Sequence, residues 1–217
     1  MRHFKKTSAI ILALCMLLSL CGCQKLQQAA DAITAKEFSL GTVSGNHYEN
    51  DFIGIQCDLD SDWVIYDEEG ISKLTGALYD SFTEEEAKKM VEESGSVMIF
   101  YAENPNNFST INITVSDTKT YDMAMGDHKK LIDTMVEQMP ELLEQSYMTD
   151  VSCTAETFSF CGEDNYGIYT TASVYELPLF ERQVILVEGT YSITLTVCAY
   201  HQDTTMELMD LIRPYEA

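Results

Sequence analysis

From Phe52 the chain carries an apolar side chain at every second position, Ile53, Ile55, Cys57 and Leu59, the period of a half-buried strand. Thr42 to Glu49 is expected to pair with it across an Asn50-Asp51 turn, and Asp60-Ser61-Asp62 breaks the pattern ahead of Trp63. The period then lengthens. Ile71, Leu74, Leu78 and Phe82 recur at helical spacing, and Thr83 opens TEEEAKKMVEES with a capping-box spacing to Glu86, so two helices, or one broken helix, are predicted between Asp67 and Ser94. Strands are predicted over 96–104 and 109–117, joined by a Pro105-Asn106-Asn107 turn. A long helix follows from about Met123 to Tyr147, with Leu131, Ile132, Met135, Met139, Leu142 and Leu143 inside and Pro140 expected to kink or restart it. Four strands close the pattern, about 151–160, 166–176, 180–188 and 190–200, with turns at Gly162-Glu163-Asp164-Asn165, Leu177-Pro178 and Gly189-Thr190. A last helix starts near Asp203 under a Thr204–Glu207 capping box, presents Leu208, Met209 and Ile212, and stops at Pro214. Strands in antiparallel pairs with helices between the pairs make an α+β fold, a mainly antiparallel sheet with helices packed on it.

The first 42 residues lie outside this pattern. Arg2, His3, Lys5 and Lys6 form a positive start, and residues 7–20 are an apolar run shorter than the roughly 20 residues of a bilayer-spanning helix, which is the form of an export signal. It ends in Leu20-Cys21-Gly22-Cys23, which resembles the bacterial lipoprotein lipobox. Cys23 follows the small residue Gly22 and is the expected lipid site, whereas Cys21 would put bulky Leu20 at the cleavage position. The organisation expected is therefore a signal peptide over 1–22, a lipidated tether over 23–42, rich in Ala and Gln, and one domain over 43–217. The membrane is reached through covalent lipid such as palmitate on Cys23, and the domain faces the extracytoplasmic side.

Charge narrows the partners. The 217 residues hold 35 acids against 13 basic residues, a formal charge of -22, and loss of residues 1–22 removes Arg2, Lys5 and Lys6 but no acid. So acidic a surface repels phosphates, and no nucleic-acid partner is expected. Beyond Cys23 the thiols are Cys57, Cys153, Cys161 and Cys198, which export permits to pair in any of three ways. Cys153 and Cys161 end one extended segment about 26 Å long at 3.3 Å per residue and should not bridge each other. Four buried thiols are the alternative.

The stretch GTVSGNHYENDFIGIQCDLDSDW (Gly41 to Trp63), followed by an acidic helix, a β-hairpin, a long helix, a strand meander ending VEGTYSITLTV (Val187 to Val197) and a closing helix, resembles the secreted PsbP-like and Mog-like lipoproteins of Gram-positive gut bacteria. The resemblance covers roughly residues 41–213; Asp60 and Asp62 stand where that pattern has Pro and Gly. It implies a PsbP-like α/β/α sandwich. It also implies accessory proteins that bind larger partners, without catalytic residues or a cofactor.

The residues themselves offer few chemical motifs. Asp58, Asp60, Asp62 and Glu69 fall at positions 1, 3, 5 and 12 of a calcium-loop count, but Trp63 stands where that loop needs Gly and a strand precedes it, so a solvated, Asp-rich turn is the preferred reading. In Gly41-Thr42-Val43-Ser44-Gly45 the serine is one place late for a nucleophile elbow. His47, His128 and His201 are isolated, with no zinc spacing. Tyr166, Tyr169, Tyr175, Phe180, Tyr191 and Tyr200 crowd the last strands and are read as core ahead of binding surface. The expectation is a non-enzymatic, lipid-anchored accessory or binding protein of the cell envelope with an unidentified envelope partner. The alternatives are a cell-surface hydrolase whose site, for example His128 or His201 with a Ser or Cys, assembles only on folding, and a calcium-responsive scaffold or adhesion protein.

Overall fold

The computed structural model describes residues 37–75, 83–118, 128–146 and 148–216, so the predicted export signal, Cys23, Leu78, Phe82 and the start of the long helix lie outside the described residues. The fold is α+β, as the sequence predicts, and among the described residues every strand pairing is antiparallel and the strands form two sheets.

The smaller sheet has the order β1-β2-β3-β11: β1 (Thr42–Ser44), β2 (His47–Asn50), β3 (Ile55–Asp58) and β11 (Ile212–Pro214). The predicted pairing across Asn50-Asp51 is met by β2 and β3, while Gly45 at φ +62° turns the chain earlier, between β1 and β2. Ile212, expected on the last helix ahead of its stop at Pro214, instead opens a strand that runs to Pro214. Ile212 lies opposite Cys57, and Pro214, which lacks an N–H, is accommodated because β11 is an edge. That strand occupies the open side of β3, so the N-terminal strands complete their own sheet instead of extending the main one. The packed region also begins before Val43: Phe38 is 3% exposed and lies 5.5 Å from the Phe52 ring and 5.2 Å from the Tyr191 ring.

The larger sheet has the order β4-β5-β6-β10-β9-β8-β7. Its strands are β4 (Val64–Ile65), β5 (Ser96–Asn104), β6 (Ser109–Asp117), β7 (Met148–Phe160), β8 (Glu163–Val174), β9 (Leu177–Glu188) and β10 (Tyr191–Tyr200). The predicted bounds of β5 and β6 are met residue for residue. A bulge between Met98 and Phe100 sends both Ile99 and Phe100 to one face. The Gly189-Thr190 turn is met between β9 and β10, while the two turns before it differ from the expectation. Cys161 and Gly162 have φ of +53° and +80°, and Tyr175 and Glu176 have +51° and +68°, which fits two-residue hairpin turns; Leu177 and Pro178 begin β9 instead of forming a turn.

Among the helices, α1 (Glu68–Thr75) is short, and α2 (Glu84–Ser94) carries the predicted capping box, with Glu86 N–H donating to Thr83 Oγ1 and Thr83 N–H to Glu86 Oε2. Helix α3 (His128–Gln145) runs through Pro140 without restarting and buries Ile132, Met135, Met139 and Leu143. Helix α4 (Thr205–Met209) lacks the predicted Thr204 cap, and Asp203 Oδ1 instead accepts from the Thr205 N–H and hydroxyl.

The small sheet, α2 and α4 cover one face of the large sheet in one continuous apolar core. The opposite face carries α3 over β7 to β10 and α1 over β5, in two separate apolar clusters. Both faces of the large sheet are therefore covered, one by the small sheet with α2 and α4, the other by α3 and α1.

Candidate functional site

Between those two clusters the strands β6 and β10 present something other than hydrocarbon. Each alternates strictly: Ile111, Ile113 and Val115, like Ile193, Leu195, Val197 and Ala199, enter the core under the small sheet. The intervening residues Thr110, Asn112, Thr114 and Ser116 on β6, and Ser192, Thr194 and Thr196 on β10, point to the helical face. Such alternation ordinarily leaves the polar side in water. In this protein Thr110, Asn112, Ser116, Ser192, Thr194 and Thr196 are all buried and Thr114 is half-buried. The result is a closed polar strip two strands wide and roughly 20 Å long.

At one end the strip meets ionisable groups. Strand register aligns Glu103, Thr110, Cys198, Glu181, Thr170 and Cys153 in one transverse row from β5 to β7. Glu181 is wholly buried, and its Oε2 accepts from the Cys198 thiol at 3.2 Å. Burial pushes its carboxyl up to about 8, with the thiol bond pulling the other way, so the acid is largely protonated at neutral pH. Glu103 is also buried, and Tyr66 donates its hydroxyl to Glu103 Oε2 at 3.0 Å. Tyr200 lies two residues along β10 on the same face. Burial, then the charges of Cys198, Glu181 and Glu103, hold its phenol above the ordinary range, which places it within electrostatic reach of both carboxyls. Cys153 is raised by burial and by Glu181 and lowered by the Thr170 hydroxyl, which donates to its sulfur at 3.5 Å.

Hydrogen bonding on this face is incomplete. Gln183 Nε2 donates to Thr196 Oγ1 at 3.3 Å, but Gln183 Oε1 and Glu181 Oε1 have no hydrogen-bond partner among the described residues. The same holds for Tyr200 Oη and for the hydroxyls of Thr110, Thr114, Ser116, Ser192 and Thr194. Folded proteins leave few buried polar groups unmet, and each costs about 1–3 kcal/mol, so so many on one face need a reason. Chemically the row offers acceptors and acids; His128, in the first turn of α3, spends its Nε2 on the Ile185 carbonyl at 2.8 Å.

No protein-family model and no curated protein sequence matches the chain. Solved structures similar to it include the PsbP of the cyanobacterium Synechocystis sp. PCC 6803, 13% identical with a TM-score of 0.46, over 81% of this chain and 99% of that one. LpqN of Mycobacterium tuberculosis, involved in cell envelope biogenesis there, is 13% identical with a TM-score of 0.37 over 72% of this chain and 76% of its own. A protein of Bacteroides thetaiotaomicron is 11% identical with a TM-score of 0.37, over 75% of this chain and 46% of its own. The PsbP-like resemblance read from the sequence thus has a PsbP among its structural neighbours.

The residues singled out from sequence are dispersed. Asp58 binds His47 Nδ1 at 2.7 Å and the Arg213 guanidinium, Asp60 Oδ1 accepts from the Asp62 N–H at 2.8 Å, and Glu69 pairs with Lys73 at 2.5 Å. Among the described residues no group of three or more His, Cys, Asp or Glu is arranged to hold a metal, and these four acids serve a turn and ion pairs. His201 is exposed at the end of β10. Cys57, Cys153, Cys161 and Cys198 form no disulfide among the described residues; burial pushes Cys57 up to about 12 and Cys161 up to about 11, which keeps both protonated and unreactive. Of the aromatics, Tyr200 is buried and Tyr175 exposed, while Tyr169 stacks 4.0 Å from Arg182, which also pairs with Glu156 and Asp203. Tyr166 ties α3 to β8 through Asp133 at 2.6 Å and Lys129 at 2.7 Å. The row around Glu181 was missed by the sequence reading. Its signal was present as hydroxyl-bearing residues alternating in two strands that prove to be neighbours.

Proposed function

We propose that this protein is a lipid-anchored, extracytoplasmic binding protein of the cell envelope, tethered through Cys23 and carrying a small polar solute on the strip of β6, β10 and β9. The observation that carries the reading is the set of hydroxyl and carboxyl oxygens, enclosed yet without partners, beside Glu181. A solute that hydrogen-bonds them returns what burial costs, which is how binding energy is gained in an enclosed polar site. Binding is favoured over hydrolysis because, of the two thiols in the row, Cys198 donates to an acid and Cys153 is held protonated by burial, while His47, His128 and His201 are placed elsewhere. Attachment is assigned to the lipid on Cys23 from the Leu20-Cys21-Gly22-Cys23 lipobox; among the described residues no helix is long and apolar enough to cross a membrane.

Two measurements test this. Replacing Cys23→Ser is expected to move the protein from the membrane fraction to the soluble one and to abolish incorporation of labelled fatty acid; unchanged fractionation and labelling would defeat the anchor. Native mass spectrometry of the full-length protein from its own cells should show a retained small molecule. A population of bare mass only, unaltered by incubation with an extract of cell metabolites, would defeat the binding role.

A further inference from the structure

The chemistry at the Glu181 end of the strip selects among polar solutes. Five ionisable groups meet on it, Glu103, Glu181, Cys153, Cys198 and Tyr200, and each is neutral or negative in its available states. His128 is engaged with a carbonyl, Lys129 with Tyr166 and Asp133, and Arg182 points to the other face, where it meets Tyr169, Glu156 and Asp203. An anionic ligand would therefore meet acids with no compensating cation. The atoms left without partners there are Glu181 Oε1, Gln183 Oε1, Tyr200 Oη and Thr110 Oγ1, all on residues at least 95% buried, and every one of them can accept a hydrogen bond. A divalent metal prefers several anionic or imidazole ligands, and among the described residues no such group is gathered.

A primary ammonium group fits what remains. It carries three donors and one positive charge, and it would convert a buried acid into half of an ion pair while satisfying neutral oxygens around it. We propose that this end of the strip receives the ammonium group of a small organic cation, with Glu181 as its counter-ion and Tyr200 and Thr110 as neutral acceptors. This rests on the strip being a ligand site and names the class of ligand. The rest of the ligand lies along the hydroxyls of Thr194, Thr114, Ser192 and Ser116, which suits a linear, polar or short aliphatic chain.

The test is calorimetric titration of the full-length protein in detergent micelles with n-butylammonium chloride, n-butanol, potassium chloride and glycerol at matched ionic strength. Saturable binding of n-butylammonium, at least ten-fold tighter than n-butanol, is expected, and Glu181→Gln should weaken it at least ten-fold. Tyr200→Phe, which keeps the ring and removes only the unpartnered hydroxyl, should weaken it several-fold and serves if the Glu181 variant does not fold. Equal binding of butanol and butylammonium, equal binding of potassium, or wild-type affinity in both variants would each overturn the ammonium assignment, as would an absence of saturable binding. Saturation by glycerol without butylammonium would overturn it while leaving the strip a ligand site; the bare mass described above is what removes that site.

Discussion

A carboxyl group wholly out of water, with a thiol as its hydrogen-bond donor, must be neutral or carry an uncompensated charge. Glu181 takes the first course, held up to about 8 against an ordinary 4.5. Between those values the folded chain binds a proton that the unfolded chain does not. Its stabilising contribution is therefore complete below about pH 4.5 and is lost as pH rises toward 8, with a slope approaching ~1.4 kcal/mol per pH unit. Glu181→Gln removes this titration, so the difference in unfolding free energy between variant and wild type should move in the variant's favour from pH 5 to 8. Urea melts across that range check it, and a difference that stays flat would mean the carboxyl titrates normally. His47 behaves in the related way on the surface. Hydrogen bonds to Asp58 and then Glu49 raise it above 6.5, and the bond to His47 lowers Asp58 below 3.8. The His47 contribution is present below pH 6.5 and fades as pH climbs through its folded value; that of Asp58 is present above 3.8 and fades below it. In an NMR titration Asp58→Asn should bring the His47 midpoint down toward 6.5, and an unmoved midpoint would exclude the pairing.

At the scale of single strands, β6 and β10 set apolar packing on one side against enclosed hydroxyls on the other. Thr194 Oγ1 and Thr110 Oγ1 have no partner among the described residues, and valine has nearly the same shape. Without ligand, Thr194→Val and Thr110→Val should each stabilise the fold by about 1 kcal/mol, read as a higher urea midpoint at unchanged slope. Stability gained where binding is lost is the mark of a functional site; a loss of stability in both variants would show that these hydroxyls are satisfied. What the sequence disclosed of these elements follows from how local each signal is. Strands β5 and β6 and the α2 cap were legible because Pro105-Asn106-Asn107 and Thr83-Glu86 act within a few residues. The turn at Tyr175-Glu176 was not, since both residues adopt positive φ without the Gly or Asn that advertises it. Strand β11 escaped because three residues carry no period, and their pairing with β3 spans most of the chain. The polar strip escaped for a further reason: alternation says which residues share a face, and only the fold says whether that face is wet.

Across the whole molecule the apolar contacts are distributed unevenly between the two sides of the large sheet. The side under the small sheet is one core from Phe38 through Trp63, Val91 and Ile113 to Ile212. The other side is split, with Ile71, Met98 and Tyr101 under α1, a larger group under α3, and the strip between them. Helix α3 is held by four buried side chains, Ile132, Met135, Met139 and Leu143, with Tyr166 and the His128 bond at its start. At about 1.5–3 kcal/mol for each buried side chain this offsets only part of the conformational entropy of ordering 18 residues, so α3 should open in excursions smaller than global unfolding. The central strands, paired on both edges, should not. Native-state hydrogen exchange is expected to give amides of residues 128–145 an opening free energy below that of residues 191–200 by about 2 kcal/mol or more, since local openings span the range from near zero up to the global value. Equal values would make the molecule one cooperative unit and would leave Glu181, whose β9 neighbours Leu179 and Ile185 share the α3 cluster, without a route to solvent short of unfolding. A lower value for α3 supplies that route, because the helix that lifts is the one packed over Tyr200 and Cys198. An occupant of the strip should then slow exchange in α3 more than in the small sheet.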